Sequence, residues 1–381
     1  MVRLMIEGLR SGHFGNFQIF HIDARFSDTM DQIGGTGFKK LWRAVKFSAQ
    51  AIRLRFDEKI DTFYYIPAPP KKSAMMRDWI VLGICRIFYP KVVLHWHAVG
   101  LGMLTSKMQE EKSLRSRLAS WLNRRIFGQH FRSLVLTEWG KADVAPFKPQ
   151  SVSIVSNGIS DPCPDFDLEL LPARIERRAV FQKILAGDTA SATFQVCFLG
   201  HCTSEKGLWD AMTAIALATA KLKSTHPALT ISLRVAGEFP SDSDRKQFGK
   251  LKEDLKRQYH LSDRWIEHVG FVGGEAKETF LRQADCLCFP TRYSAESFGL
   301  VAAEALAFGI PPVTSDWRML PELMTKVGLP VTRTGDPESL AAGIIAAIGR
   351  DSPADLRASF LEHFTAEAHL TQLASALKSA S

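Results

Sequence analysis

The sequence predicts an α/β chain of two doubly wound, Rossmann-like domains that face a cleft, each domain built on a mostly parallel sheet. The chain has 381 residues, which is too long for one typical domain. Hydrophobic residues make up 46% of it, which is enough for two cores. Short apolar runs alternate with longer helix-forming stretches, without internal repeats or low-complexity segments.

Residues 1–160 are predicted to form the first domain, although its sheet lacks an expected first strand. The segment 1–10 has the pattern of a helix, and the segment 17–23 has the pattern of the first strong strand. The glycines at 34–37 are interpreted as a turn before a further helix. A helix is predicted at 77–88, and further strands at 61–66, 91–97, 132–137 and 151–159.

Residues 161–193 contain several prolines and are predicted to be a linker and connecting region. Residues 194–360 are predicted to form the second domain, which opens with a buried strand at 194–200. The later strands of this domain are predicted at 231–238, 266–272, 286–290 and 311–316. Two helices are predicted after Pro337, the last of them in the C-terminal segment 361–381.

The positive charge is concentrated in the first part of the chain. Residues 1–150 carry 24 Lys and Arg against 12 Asp and Glu, whereas the remainder carries 24 against 28. No nucleic-acid partner is expected, because no zinc-finger, RRM or helix-turn-helix pattern accompanies these residues. They alternate with Trp, Phe and Leu at 38–56 and 112–127, which is typical of helices on an anionic membrane surface. Two ordinary helices with solvated basic faces are the alternative.

A cytoplasmic location is expected from three further features of the sequence. There is no apolar run long enough to cross a bilayer. The first residues lack the apolar region of a signal peptide. The six cysteines form no paired Cys-x-x-Cys set, so they are expected to be reduced thiols.

The stretch 286–316 contains two acids, Glu296 and Glu304, with seven residues between them. Glu296 lies among turn formers and Glu304 lies in a helix-forming run. A helix that starts near Phe298 would point its free N–H groups and its positive dipole end at whatever fills the preceding loop, which suits an anion. The spacing is a little over two helical turns, so both carboxylates can face one cleft.

Two other loops follow predicted strands and carry polar side chains. Lys206 and Gly207 end the loop after the strand at 194–200 and lead into a helix, a combination that suits a phosphate group. His95 and His97 end the strand at 91–97, and ligands bind at this end of parallel strands in such folds. A solvated loop lysine and a histidine satisfied by the backbone are the alternatives.

The stretch 286–316 resembles the donor-site signature of retaining glycosyltransferases of GT-B architecture, in particular family 4 (group 1). That signature reads P-S-x-x-E-x-F-G-L-x-x-x-E-A-x-A-x-G-x-P-V. The stretch matches it at Glu296, Phe298, Gly299, Leu300, Glu304, Gly309 and Pro311, and Pro290, Pro312 and Val313 lie within two residues of its proline and valine positions. Lys206 and Gly207 also match the end of the family pattern G-R-L-x-x-x-K-G. The resemblance is strong over about residues 190–325 and weaker over residues 10–160.

The resemblance implies that residues 1–160 bind the acceptor, that residues 194–360 bind a nucleotide-diphosphate sugar, and that the last helix packs on the first domain. It implies that Glu304 accepts hydrogen bonds from the ribose and that Glu296 contacts the donor sugar. The residues implied in donor binding are His201, Lys206, Gly207, Phe271, Val272, Arg292, Glu296, Ser297, Phe298, Gly299, Leu300 and Glu304.

Three of the implied roles concern catalysis. His97, with His95 as the second choice, is expected to contact the transferred sugar. Lys206, with help from Arg292, is expected to neutralise the diphosphate, and Glu296 completes the catalytic set. No metal is required, because no Asp-x-Asp occurs in a suitable loop, and no cofactor is expected besides the donor substrate.

Two features depart from the family pattern. The strand and glycine-rich loop that normally precede the first helix are missing, and His201 stands where the family has arginine. Histidine is mostly neutral near pH 7, so a permanent cation is lost. A catalytically degenerate or truncated nucleotide-sugar-binding protein is therefore the alternative function. An epimerase is disfavoured because its motifs do not match, and a Rossmann dehydrogenase because no G-x-G-x-x-G follows a strand.

The function implied is retaining transfer of a sugar from a nucleotide-diphosphate donor to a glycan or lipid-linked acceptor. The resemblance, together with the basic aromatic helices, implies a role in bacterial surface polysaccharide or lipopolysaccharide assembly, with the enzyme peripheral on the inner face of the membrane.

Overall fold

The computed structural model describes residues 2–24, 38–128, 130–350 and 352–378 of the chain. The chain divides into two compact units. Unit 1 comprises Met1–Asn157 and His369–Ser381, and unit 2 comprises Gly158–Ala368. Each unit contains one parallel sheet with helices packed against it, so the predicted α/β fold with two Rossmann-like domains is confirmed.

The strands are β1 (Thr62–Tyr65), β2 (Lys91–Trp96), β3 (Phe131–Val135), β4 (Ser151–Ile154), β5 (Ala192–Leu199), β6 (Leu229–Ala236), β7 (Ile266–Gly270), β8 (Cys286–Phe289), β9 (Pro312–Ser315) and β10 (Val331–Thr332). The helices are α1 (Val2–Arg10), α2 (Phe38–Asp57), α3 (Lys72–Phe88), α4 (Leu101–Glu110), α5 (Leu114–Phe127), α6 (Glu138–Val144), α7 (Leu171–Leu185), α8 (Leu208–Thr225), α9 (Asp242–Tyr259), α10 (Glu275–Arg282), α11 (Leu300–Ala307), α12 (Leu320–Lys326), α13 (Pro337–Arg350), α14 (Pro353–His363) and α15 (Ala366–Lys378).

The sheet of unit 1 is covered on both faces. Its strands pair in the order β1-β2-β3-β4, all parallel. Val92 and Leu94 of β2 belong to the core formed with α2, α3, α4 and α5. Val93, between them, belongs to a second cluster with Leu9 of α1 and Leu370 of α15. Since successive side chains of a strand point to opposite faces, this arrangement explains why the apolar run at 92–94 in β2 is continuous.

Residues 17–23, predicted as a strand, have no regular secondary structure, so this prediction was wrong. Phe17 and Ile19 instead pack against the cluster that contains α1 and α15. Their alternating apolar pattern therefore reflects packing on helices and not pairing in a sheet. The helix predicted at 77–88 is longer and begins at Lys72. The turn predicted at 34–37 lies outside the described residues.

The sheet of unit 2 has the order β10-β9-β8-β5-β6-β7. From β5 the chain adds β6 and β7 toward one edge of the sheet, and from β8 it adds β9 and β10 toward the opposite edge. The two central strands pair in parallel through Val196 with Cys286 and Cys197 with Leu287. The direction of winding therefore changes between β5 and β8. The loops that follow these two strands leave the sheet side by side, where folds of this class bind ligands.

The segment 161–193, predicted as a linker, lies in unit 2 and contains α7. Phe181 and Ile184 of α7 belong to the core of this unit, together with apolar residues of α8 and α13. The buried Arg174 of α7 donates to the Ala284 carbonyl at 2.7 Å. This segment therefore packs on the domain that it precedes.

Three helices follow residue 336, α13, α14 and α15, instead of the two predicted. The break between α13 and α14 has a local cause. Ser352 accepts a hydrogen bond from the Asp355 amide, and Pro353 occupies the first turn of α14. Serine as a cap followed by proline is a strong helix start, so a new helix begins here.

Candidate functional site

The loop after β5 lies directly against the end of β8. Gly207, which ends this loop, has a φ of +80°, and a Cβ placed on it would lie 2.2 Å from the Pro290 carbonyl oxygen. Only glycine fits such a close approach with this backbone conformation. The glycine that precedes α8 therefore allows Lys206 to reach the loop that follows β8.

Lys206 and Glu296 form an ion pair at this junction. The Lys206 Nζ donates to Glu296 Oε2 at 2.8 Å, and both side chains are largely buried. The ammonium also lies 4.6 Å from the ring centroid of Tyr293. Thr291 Oγ1 lies 3.5 Å from the same carboxylate oxygen. The structure thus brings together two of the predicted catalytic residues, with a cation held between a carboxylate and an aromatic face.

Arg292 joins the loop that follows β8 to the loop that follows β5. Its amide donates to the Glu205 carbonyl at 2.8 Å. Its guanidinium donates to Asp210 Oδ2 at 2.8 Å and to Ser204 Oγ at 2.6 Å. Much of the hydrogen-bonding capacity of Arg292 is thus directed at protein groups. Ser204 and Asp210 were not predicted from the sequence, since neither belongs to the motifs that carry the resemblance.

The residues after Glu296 lead into the start of α11. Phe298 is fully buried and packs edge-on against Phe364 with ring centroids 6.0 Å apart, so its side chain is part of the core. Gly299 has a φ of +75°, and α11 begins at Leu300, two residues after the predicted start. Contacts of this segment with a ligand are therefore expected from backbone amides or from the half-buried Ser297 and Leu300.

Glu304 has a different partner from Glu296. Its Oε1 accepts a hydrogen bond from Lys277 Nζ at 2.8 Å, and Lys277 lies in the first turn of α10. The two acids of the motif are thus each paired with a lysine from another element. Lys277 was not predicted from the sequence, because it is distant from Glu304 along the chain and belongs to no recognisable motif.

The remaining predicted donor residues lie at the ends of β5 and β7. His201, directly after Gly200, is exposed. A Cβ on Gly237, which follows β6, would lie 1.8 Å from the Gly200 carbonyl oxygen, so the ends of β5 and β6 are in close contact. Phe271 follows β7 and is 74% exposed, and Val272 is half-buried. An exposed phenylalanine at a strand end is available to pack against a flat ligand.

His97 lies in unit 1 within a group of buried imidazoles. Its ring centroid is 4.1 Å from that of His95, and the His95 ring lies 6.1 Å from that of His369. The Tyr64 hydroxyl forms a hydrogen bond with His95 Nδ1, and His369 Nδ1 bonds to the Ser156 carbonyl oxygen at 2.7 Å. His95 is fully buried, whereas His97 is half-buried.

Burial, with a smaller contribution from the neighbouring His369, lowers the pKa of His97 to about 4. Burial also lowers the pKa of His95 well below its usual value. Both imidazoles are therefore neutral at pH 7. A neutral imidazole can donate or accept a hydrogen bond, but it adds no positive charge to a site. Within the described residues, no group of three or more His, Cys, Asp or Glu side chains is arranged to hold a metal ion.

Comparisons with known proteins identify relatives of unit 2. Residues 186–362 match the family model described as Glycosyl transferases group 1. Over 122 residues the chain is 32% identical to glycogen synthase of Mycobacterium tuberculosis (strain H37Rv), a match that covers 32% of this chain and 26% of that protein. Over 88 residues it is 33% identical to O-antigen chain mannosyltransferase B of Escherichia coli, covering 23% and 22% of the two chains. The matches thus span about a quarter of the length of these curated relatives.

The structural comparison extends over most of the chain. Anabaena HepE, solved in complex with UDP, superposes with a TM-score of 0.60 at 18% sequence identity, covering 88% of this chain and 82% of that one. At this identity the likeness concerns the fold. It agrees with the GT-B type of fold that the sequence predicts.

Proposed function

We propose, from the match of residues 186–362 to the model of glycosyl transferases group 1, that the protein transfers a sugar from a nucleotide-diphosphate donor to an acceptor hydroxyl. The observation that carries the proposal is the Lys206–Glu296 pair, which lies where the direction of winding changes in unit 2. This pair lies next to the segment that starts α11. A cation and helix amides at one place suit a diphosphate.

The proposed reaction breaks the bond between a sugar and a diphosphate, which gains negative charge as it leaves. Lys206 and the amides near Gly299 would stabilise that charge. Arg292, whose guanidinium bonds to Asp210 and Ser204, would act mainly by holding the Lys206 loop in place.

The two acids have separate roles in this proposal. Glu304 would accept hydrogen bonds from the ribose hydroxyls, and Glu296 would contact hydroxyls of the donor sugar. Phe271 and Val272 would pack against the base. His97, neutral at pH 7, would hydrogen-bond to the transferred sugar. Assignment to family 4 and retention of the anomeric configuration follow from the sequence resemblance and are part of the proposal.

A panel of nucleotide sugars tests the proposal. UDP-, GDP- and ADP-linked sugars would be titrated into the protein by calorimetry, and hydrolysis of each donor would be followed in parallel. One class of donor is expected to bind and to be hydrolysed slowly. Glu304→Ala is expected to weaken its binding at least about tenfold, because a charged hydrogen-bond acceptor is lost.

The outcomes of this panel separate the two candidate functions. Binding without hydrolysis or transfer would favour the degenerate binding protein over the enzyme. Binding that Glu304→Ala leaves unchanged would contradict the role of this carboxylate. A protein that binds none of the donors would overturn the glycosyltransferase proposal itself.

The proposed acceptor is a glycan or lipid-linked glycan of bacterial surface polysaccharide assembly, reached at the inner face of the membrane. The E. coli relative is named an O-antigen chain mannosyltransferase, which supports this class of acceptor. In the part of the chain that the structure describes, no helix is long and apolar enough to cross a bilayer. We propose that contact with a membrane involves its surface.

Helix α5 is the proposed membrane contact. Leu114, Leu118 and Trp121 are 80%, 55% and 59% exposed, and their spacing places them on one face of the helix. The same helix contains four arginines and no acidic residue. Apolar side chains flanked by arginines suit the interface of an anionic bilayer, because burial of the apolar side chains and attraction of the arginines to anionic lipids both favour binding.

Sedimentation with anionic phosphatidylglycerol vesicles at low salt tests this contact. The variant L118S/W121S is expected to bind at least about tenfold more weakly than the parent, because two apolar anchors are lost. Leu168→Ser is the control, since Leu168 is 87% exposed but lies in unit 2. Equal sedimentation of the parent and the double variant, or no sedimentation of the parent, would contradict the proposal.

A further inference from the structure

The contact between Lys277 and Glu304 joins two helices of unit 2 at one point. Gly274, with a φ of +53°, precedes α10, and the Lys277 amide donates to the Gly274 carbonyl at 3.0 Å. The turn therefore fixes the backbone from which Lys277 extends. The side chain reaches Glu304 of α11 over 2.8 Å.

The surroundings of Glu304 make this lysine important for the carboxylate. The neighbouring residues Ala302, Ala303 and Ala305 are buried and provide no side-chain donor. The Glu304 side chain is only 17% exposed, and that of Lys277 is 31% exposed. A carboxylate that is largely removed from water needs a charged partner, and among the described residues the recorded ion pair of Glu304 is the one with Lys277.

The geometry of the pair has a consequence for ligand binding. Lys277 donates to Oε1, which limits rotation of the carboxylate and leaves Oε2 as an acceptor. A carboxylate has room for about four hydrogen bonds, so the lysine uses only part of its capacity. A cis-diol presents two O–H donors side by side. An oriented carboxylate can accept both, whereas a freely rotating one must first be ordered.

We propose that Lys277 is a positioning residue that orients the Glu304 carboxylate for the cis-diol of a ribose, and thereby selects ribonucleoside over 2′-deoxyribonucleoside diphosphate donors. This inference rests on the proposed function, in which Glu304 binds the ribose. It assigns the two lysines different tasks: Lys206 pairs with Glu296 and serves the diphosphate, whereas Lys277 pairs with Glu304 and serves the sugar of the nucleoside.

Calorimetric titration of matched nucleotides tests this assignment. The nucleoside diphosphate of the preferred base and its 2′-deoxy analogue, for example UDP and 2′-deoxy-UDP, would be titrated into the parent, Lys277→Met, Lys277→Arg and the control Lys256→Met. Lys256 pairs with Asp263 elsewhere on unit 2, so the control also removes a lysine from an ion pair. An unfolding temperature for each variant reports whether the fold is kept.

The parent is expected to bind the ribonucleotide at least about tenfold more tightly than the deoxynucleotide, because the deoxy analogue leaves an acceptor oxygen of Glu304 unused. Lys277→Met is expected to weaken ribonucleotide binding about fivefold to tenfold and to change deoxynucleotide binding by less than about twofold. Lys277→Arg should keep most of the preference, since it keeps the charge and a donor. Lys256→Met should match the parent.

A purely structural role would give a different pattern. If Lys277→Met weakens both nucleotides equally, or neither, the proposed positioning role is wrong while donor binding stands. Equal binding of the two nucleotides by the parent would likewise overturn the ribose selection. A parent that binds no nucleoside diphosphate would overturn the proposed function and this inference with it.

Discussion

Lys206→Met is expected to lower the rate of donor cleavage by about 10²–10³-fold, the range observed when one group that stabilises developing charge is removed from an active site. Methionine keeps the length and most of the volume of lysine but carries no charge. In unit 2 the Lys206 ammonium lies 2.8 Å from Glu296 and 4.6 Å from the Tyr293 ring centroid. These two contacts hold the positive charge of Lys206 in one place. Its loss would leave the leaving diphosphate without its main cation.

Single-turnover cleavage of the preferred donor, at saturating donor concentration, measures this effect separately from binding. Lys221→Met is the control. Lys221 lies in α8, the helix that follows the Lys206 loop, and forms an exposed ion pair with Glu338 at 2.7 Å. Exposed pairs contribute little, so the control should cleave the donor at the parental rate. A rate for Lys206→Met within about threefold of the parent would contradict the role of Lys206 in the proposed function.

Gly102→Ala is expected to destabilise unit 1 by about 3 kcal/mol or more, because overpacking against backbone cannot be relieved by a rotamer change. A Cβ on Gly102 would lie 1.5 Å from the Asp143 carbonyl oxygen. The Asp143 side chain also holds the start of α4, since its Oδ2 accepts from the Gly100 amide at 2.7 Å and its Oδ1 from the Met103 amide at 3.1 Å. Moving α4 away from Asp143 to make room for the new Cβ would therefore weaken these two hydrogen bonds as well.

Calorimetric unfolding, in which the two units can melt separately, measures this destabilisation. Gly83→Ala is the matched control in the same unit. Gly83 lies in the interior of α3, and a Cβ on it would meet no atom within 4 Å. Alanine there should stabilise unit 1 by up to about 1 kcal/mol, because it restricts the unfolded chain and favours the helix. An unchanged melting temperature for Gly102→Ala would show that α4 and α6 pack less tightly than the structure describes.

Local pattern was enough to predict most elements of the fold. Short, largely apolar runs predicted strands such as β2 and β5, since the central parts of strands in parallel sheets are buried on both faces. The same reasoning failed for residues 17–23, where alternating apolar residues pack on helices without forming a strand. An amphipathic pattern records which side chains are buried, but it does not record whether a neighbouring strand is available for pairing.

The candidate donor site was predicted in part. Lys206, Gly207, Glu296 and Glu304 belong to motifs in which residue type and spacing are recognisable in one stretch of sequence. Their partners Ser204, Asp210 and Lys277 were not predicted. Each of these partners is an ordinary polar residue of a loop or helix, and only its position in space gives it a role.

The sequence by itself determined the α/β class, the two-domain organisation and the motif that carries the candidate chemistry. These depend on composition, on periodicity and on residues close together along the chain. The tertiary structure decided which side of the sheet of unit 1 is covered by α15, and which lysine pairs with which acid. Lys277 and Glu304 meet although β8 lies between their helices along the chain, and contacts of this kind follow from the packing of whole elements. No local pattern specifies them, because an ion pair needs only a distance of a few ångströms in space and sets no spacing along the chain.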